Sequence, residues 1–255
     1  MTNEDAHCYA REHGTSTFFY GGARILLRPI AAVWYRMSVT GREHIPAEGP
    51  VIIAPNHRHI SDPFFIGLAT KRRVHYMAKS ELFDKPGARV LNRLGAYPVR
   101  RGEADPEALE TSRVHLERGR VIAIFPEGTR SRDPERLRRP RKGAARLALE
   151  AQAPIVPCAI TGTDRLARGP VKIRVAFAPP IQPAQLEVTP DAAADLIANQ
   201  VWPEVEREYA RLRAHPGVIA AILGALGAGA AGGGVAYRRQ QRRKRKRSRN
   251  PFKRS

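Results

Sequence analysis

A chain of 255 residues has room for one domain of about 200 residues with appendages, long enough to bury a core. Its net charge of +20 comes from 44 Lys and Arg against 24 Asp and Glu, with 11 of the basic residues and no acid between 238 and 255, so that 33 bases face 24 acids elsewhere, a net +9. That balance points to an anionic partner such as phospholipid, nucleic acid or a phosphorylated substrate, without choosing among them. Cys8 and Cys158 stand far apart, with Cys158 inside an apolar run, which argues against a disulfide framework and points to a reducing compartment.

In chain order, residues 1–17 are polar, loose in expectation, and lack the basic start and apolar stretch of a secretory signal. Residues 18–39 are rich in apolar and aromatic side chains but are interrupted by Arg24, Arg28, Pro29 and Arg36, which argues against a simple transmembrane span. They are expected to form an interfacial segment with the arginines among lipid head groups and Phe18, Phe19, Leu26, Leu27, Trp34 and Tyr35 in the acyl boundary, or an amphipathic helix packed on the domain. Residues 1–39 therefore form an N-terminal leader and interfacial segment, and 40–214 the main domain.

Within the main domain, short runs rich in β-branched residues at 51–54, 74–78, 121–125, 155–160 and 173–178 read as buried strands. Segments 64–70, 81–91, 106–118 and 143–151 have helical length and spacing, and 191–213 adds a helix whose stripe is Leu196, Val201, Val205, Tyr209 and Leu212. This alternation predicts one α/β domain with a largely parallel or mixed sheet flanked by helices. Residues 215–237 are apolar but rich in Gly and Ala, which weakens the drive to insert, so a shallow segment or a low-complexity tail is expected there rather than a full span. The polybasic tail 238–255 follows.

The chemistry concentrates in three loops. Asn56 to Ser61 follow a predicted strand, where α/β proteins commonly build their sites. His57 and Asp62 are five residues apart and can pair: a carboxylate holding one ring nitrogen leaves the other to accept a proton from a hydroxyl. Asp62 before Pro63 also suits a helix start, and the two roles are compatible because a carboxylate has two oxygens. A binuclear metal motif, which His57, His59 and Asp62 partly imitate, would place the Asp two residues after the second His; here it is three, and Pro63 follows. Glu127 in 125–131 can hydrogen-bond substrate hydroxyls, with Gly128 bringing backbone donors close to a ligand. Arg100 and Arg101 offer guanidinium groups suited to phosphate.

Taken together, Asn56-His57 with Asp62, Gly95 to Arg101, Phe125-Pro126-Glu127-Gly128-Thr129-Arg130-Ser131 and Ile155-Val156-Pro157 resemble the four ordered blocks of the glycerophospholipid acyltransferase family, whose best-known members acylate lysophosphatidic acid. The resemblance runs from about residue 40 to 181, and four blocks in order are far more specific than one. Two departures stand out: Cys158 in place of an aliphatic residue after the fourth block, and an arginine-rich loop at 133–141.

The resemblance implies an O-acyltransferase that moves an acyl chain from acyl-coenzyme A or acyl carrier protein to the free hydroxyl of a lysophospholipid, foremost 1-acylglycerol-3-phosphate. His57 and Asp62 would be catalytic, and Arg101, Glu127, Gly128, Thr129 and Arg130 would bind substrate. No metal or bound cofactor is required, and no nucleic-acid partner is expected. The implied location is the cytoplasmic face of an anionic membrane surface, peripheral or monotopic. A basic nucleic-acid- or membrane-binding protein without catalysis, and a lipid or thioester hydrolase using the same His-Asp pair, remain open at this point.

Overall fold

The computed structural model describes residues 1–214 apart from 103–104, 132, 134, 170 and 184–187. The expectations for 215–237 and 238–255 lie outside the described residues.

Among the described residues the chain builds a seven-stranded sheet in the order β1-β7-β6-β2-β5-β3-β4. The strands are β1 (Ser38–Thr40), β2 (Val51–Pro55), β3 (Val74–Lys79), β4 (Ala96–Val99), β5 (Val121–Ala123), β6 (Ile155–Thr161) and β7 (Arg174–Phe177). Every pairing is parallel except β6 with β7, so the sheet is mixed. Every residue of β2 and β6 is buried, because helices cover both faces and leave no position for a solvent-facing polar residue.

The alternation of side chains along a strand divides β2 between two cores. Val51 and Ile53 pack with Val74, Tyr76, Phe65, Ile66 and Ala69 on one face. Ile52 and Ala54 pack with Leu116, Leu147, Leu149, Leu196 and Val201 on the other. The helices are α1 (Asn3–His13), α2 (Thr17–Val33), α3 (Asp62–Ala69), α4 (Ala88–Arg93), α5 (Pro106–Glu117), α6 (Gly143–Ala151), α7 (Pro190–Asp195) and α8 (Trp202–Arg213). Between α7 and α8, Leu196–Val201 is a π-helical turn. It absorbs the five-residue step between Leu196 and Val201, so that all five residues of the predicted stripe are buried.

Several local expectations are corrected. Residues 1–17 are not loose: Thr2 and Asp5 form a reciprocal capping box, and Ala6, His7 and Ala10 bury one face of α1, with His7 Nδ1 2.9 Å from Thr111 Oγ1 of α5. The helix expected over 81–91 is broken at Pro86 and Gly87, leaving a 3₁₀ turn at Ser80–Leu82 and the short α4. The short strands β1 and β4 were not among the predicted runs.

α2 combines two expectations. Arg24 and Arg28, expected among lipid head groups, instead donate to main-chain carbonyls at Leu68, Thr70 and Lys71, satisfying the C-terminal end of α3. The opposite face leaves Phe18 (84 %), Ile25 (79 %), Leu26 (68 %), Val33 (79 %) and Trp34 (57 %) exposed. Among the described residues no helix is long and apolar enough to cross a membrane.

Candidate active site

Because β2 pairs with β5 in parallel register, with Ile53 opposite Ala123, the loops leaving their C-terminal ends rise side by side. β3 flanks β5, and β4 flanks β3, which brings Val99 to Arg101 to the same edge. A cavity of about 250 Å³ opens there, walled by apolar side chains that include Met77, Val99, Leu109, Phe125 and Leu147, with His57, Arg101, Arg141 and the backbone of Gly128 and Gly143.

The loop after β2 is held from three sides. Asn56 exchanges two hydrogen bonds with the main chain of Ile160 in β6, accepting from its N–H at 2.7 Å and donating to its carbonyl at 3.1 Å. The N–H of His57 donates to Glu127 Oε1 at 2.7 Å, and the carbonyl of His57 accepts from Ser131 N–H at 2.8 Å. Arg58, nearly buried, donates to the carbonyl of Asp133 and lies 3.9 Å from Asp164 Oδ2.

His57 and Asp62 are brought together. Nδ1 of the buried His57 stands 2.9 Å from Asp62 Oδ2, and the ring stacks obliquely on Phe125 at 4.2 Å between centroids. Asp62 does not cap α3: its Oδ2 also accepts from the N–H of Arg58 at 2.6 Å and of His59 at 2.7 Å. Those bonds fix the carboxylate behind the ring. They orient Nδ1–H toward Asp62 and leave Nε2 as the acceptor, without a hydrogen-bond partner among the described residues. His59 Nδ1 is engaged locally with Ser61 Oγ at 2.7 Å.

The expected substrate contacts divide. Arg100 is committed to Asp105, with its N–H 2.8 Å and its Nε 3.6 Å from Oδ2. Arg101 lines the cavity and forms no ion pair among the described residues. Desolvation, followed by repulsion from Arg130, lowers the pKa of Arg101. Arg130 is exposed near it, while neither Arg130 nor Thr129 is part of the cavity wall.

Glu127 departs from the expectation of a substrate contact. It is 2 % exposed and absent from the cavity wall, and its second oxygen accepts from Arg138 N–H at 2.9 Å. It is a carboxylate staple between the His57 loop and the arginine-rich loop. Burial raises its pKa, opposed by the two backbone donors.

Two further features meet the cavity, both in segments that the sequence marks without assigning a role to the residue concerned. Arg141 lines the cavity, and Gly128, at φ +67°, leaves it room: a Cβ there would lie 3.0 Å from Arg141 Nε. The N-terminus of α6 also meets the cavity through Gly143 and Ala144, with no side-chain cap. By contrast, the amides of residues 57–59, candidates for stabilising an oxyanion, are consumed by Glu127 and Asp62.

A histidine backed by a carboxylate, a cationic wall and an apolar cavity thus meet at one edge of the sheet. The family model described as Acyltransferase matches residues 36–161, which contain all of these loops. A 1-acyl-sn-glycerol-3-phosphate acyltransferase of Bacillus subtilis is 30 % identical over 196 residues, covering 73 % of this chain and 96 % of that protein. Another from Limnanthes douglasii is 35 % identical over 156 residues, 57 % of this chain and 54 % of the relative. The crystal structure of the 1-acyl-sn-glycerophosphate (LPA) acyltransferase PlsC from Thermotoga maritima superposes with a TM-score of 0.58 at 25 % identity, covering 76 % of this chain and 83 % of that one. The chain belongs to the lysophosphatidic acid acyltransferase family, whose members are O-acyltransferases.

Proposed function

We propose that the protein transfers an acyl chain from a thioester, acyl-coenzyme A or acyl carrier protein, to the free hydroxyl of a lysophospholipid, with 1-acylglycerol-3-phosphate as the foremost acceptor. The observation that carries this is the 2.9 Å contact between His57 Nδ1 and Asp62 Oδ2, with the ring forming part of a cavity that Arg101 and Arg141 also wall.

His57 Nε2 removes the hydroxyl proton as the oxygen attacks the thioester carbonyl, and Asp62 stabilises the imidazolium that forms. Collapse of the tetrahedral intermediate breaks the C–S bond, and the imidazolium returns its proton to the leaving thiolate, so ester and thiol appear together. Arg101 binds the acceptor phosphate, with Arg130 and Arg141 adding positive charge. The uncapped start of α6 supplies partial positive charge to an oxyanion or phosphate at the cavity. Glu127 acts as a positioning residue through the His57 amide. Base, nucleophile and leaving group suffice for this chemistry, so no metal or bound cofactor is assigned.

The exposed apolar face of α2 supports a peripheral position on a membrane, which we assign to the anionic cytoplasmic face. Replacing Leu26 and Val33 by Ser should weaken flotation with anionic vesicles by roughly fivefold or more; unchanged flotation removes α2 from the membrane contact. The activity itself is tested by incubating purified protein with labelled acyl-coenzyme A and a panel of lysophospholipids and identifying the product by mass. A diacyl lipid supports transfer. Free fatty acid as the main product assigns a hydrolase instead, and salt-sensitive DNA binding without turnover assigns a nucleic-acid-binding protein.

A further inference from the structure

The loop between β5 and α6 carries more positive charge than the acyl-transfer chemistry uses. Between residues 130 and 142 seven Arg and Lys stand against Asp133 and Glu135, a net +5. Arg130 and Arg141 are already assigned to charge at the acceptor, which leaves Arg136, Arg138, Arg139 and Lys142, all exposed and outside the cavity wall. Among the described residues none of these four side chains forms an ion pair or a hydrogen bond, whereas Arg100 at the cavity and Arg146 one turn into α6 are paired with Asp105 and Glu150. Within the loop, Asp133 Oδ1 accepts from the amides of Glu135 and Arg136 at 2.8 and 3.3 Å.

The way the loop is held points to what these cations meet. Arg138 N–H donates to Glu127 Oε2 and Arg141 N–H to the carbonyl of Pro126 at 2.8 Å, Ser131 Oγ donates to the carbonyl of Arg136 at 3.0 Å, and Leu137 packs on Ala159, Ala176, Tyr209 and Leu212. The four cations therefore stand on a fixed ridge outside the cavity. Such a display suits an extended acidic surface, whereas a single phosphate is bound by donors that converge on it. The face matters as well. Cys158, Ile160, Val175 and Phe177 belong to the core shared with Ala31 of α2 and Phe65 of α3, so the alternating Ala159 and Ala176 point to the other side of the sheet. Leu137 thus anchors the ridge on the face opposite α2, whose apolar residues are the ones exposed to a bilayer. A membrane resting against α2 occupies one face, and the ridge addresses a partner arriving from the other.

We propose that this ridge docks an acidic acyl carrier protein, so that the thioester arm it carries enters the cavity beside His57. The inference rests on the acyl-transfer reading of that cavity and deepens it by naming the carrier protein, rather than coenzyme A, as the donor that the loop selects. Coenzyme A presents the same thioester on the same pantetheine phosphate, so a difference between the two donors isolates the contribution of the carrier's protein surface.

The test compares palmitoyl-acyl carrier protein with palmitoyl-coenzyme A as donors for the full-length chain at saturating acceptor, in the wild type and in a variant carrying Arg136→Glu, Arg138→Glu and Arg139→Glu. Charge reversal should raise the KM for the carrier-protein donor about 10-fold or more, with kcat and the coenzyme A kinetics changed by less than about twofold. Those unchanged kinetics also report that the variant is folded, and Arg→Lys at the same positions should keep the wild-type KM for the carrier protein. Equal losses with both donors, no loss with either, or a loss confined to flotation with anionic vesicles overturns the proposal, the last assigning the ridge to the bilayer. Anisotropy of labelled carrier protein separates this from failure of the acyl-transfer reading. A wild-type chain that uses coenzyme A but neither binds nor uses the carrier protein overturns the docking alone. If neither donor is turned over, transfer is refuted, and the docking surface stands only if the wild type binds the carrier saturably and the charge-reversed variant does not.

Discussion

Two buried histidines, one at each edge of the sheet, are both tethered through Nδ1, yet the tether differs. Asp62 stands behind His57, whereas the carbonyl of Val121 stands behind His75. A carboxylate stabilises an imidazolium as it forms; a neutral carbonyl beside Arg73 and Arg120 does not, and His75 is held down to about 4. On the proposed mechanism the ring at one edge shuttles a proton, while the ring at the other is held neutral, a difference set by the charge of the group behind it.

The sharpest way to break this comparison is to remove the first ring. His57→Ala is expected to lower acyl transfer by about 10²- to 10⁴-fold with the fold retained by circular dichroism; near wild-type turnover would refute the assignment. Asp62→Asn keeps the shape while removing the charge behind Nδ1. It should cost about 10²-fold or more through the wrong tautomer, and wild-type activity in this variant would mean that the carboxylate has no part in the reaction.

Acid separates the edges thermodynamically. His75 and His115, whose rings stack at 4.1 Å, sit at about 4 and about 2, below their ordinary value of 6.5. Between pH 6.5 and 4 the unfolded chain binds more protons than the folded one, so stability falls on acidification, by on the order of 3 kcal/mol for each ring. Urea midpoints measured across that window test this, and a flat profile would show that the rings titrate freely.

A smaller effect is expected from Glu127→Gln, which places an amide N–H against one of two backbone donors and should cost about 1–3 kcal/mol. Activity should fall through displacement of the His57 loop, with the KM for acceptor little changed. A selective rise in that KM would restore Glu127 as a direct substrate contact.

How much was legible in the sequence follows the range of the interaction. Strands β2, β5 and β6 were readable because burial on both faces demands unbroken apolar runs, and His57 with Asp62 because five residues of loop bring them together. β4 was not, being four residues long with Pro98 inside it, and α1 was hidden because Ala6 and Ala10 make its packed face from small side chains within a polar segment. The role of Glu127 depends on a bond across 70 residues, and the His75–His115 pair on one across 40, neither of which leaves a local pattern. Arg141 is one guanidinium among several in its loop, distinguished only by the space that Gly128 leaves.

The two thiols carry a practical consequence of their placement. Cys158 lies sealed in β6, pushed well above its usual ionisation range by burial and by Asp62, while Cys8 is exposed on α1 beside Glu12, which also raises it. A maleimide dye applied to the native protein should therefore attach at a single address on the N-terminal helix, slowly and without mutagenesis. The label would test whether that helix approaches a bilayer while the His57 edge remains chemically untouched.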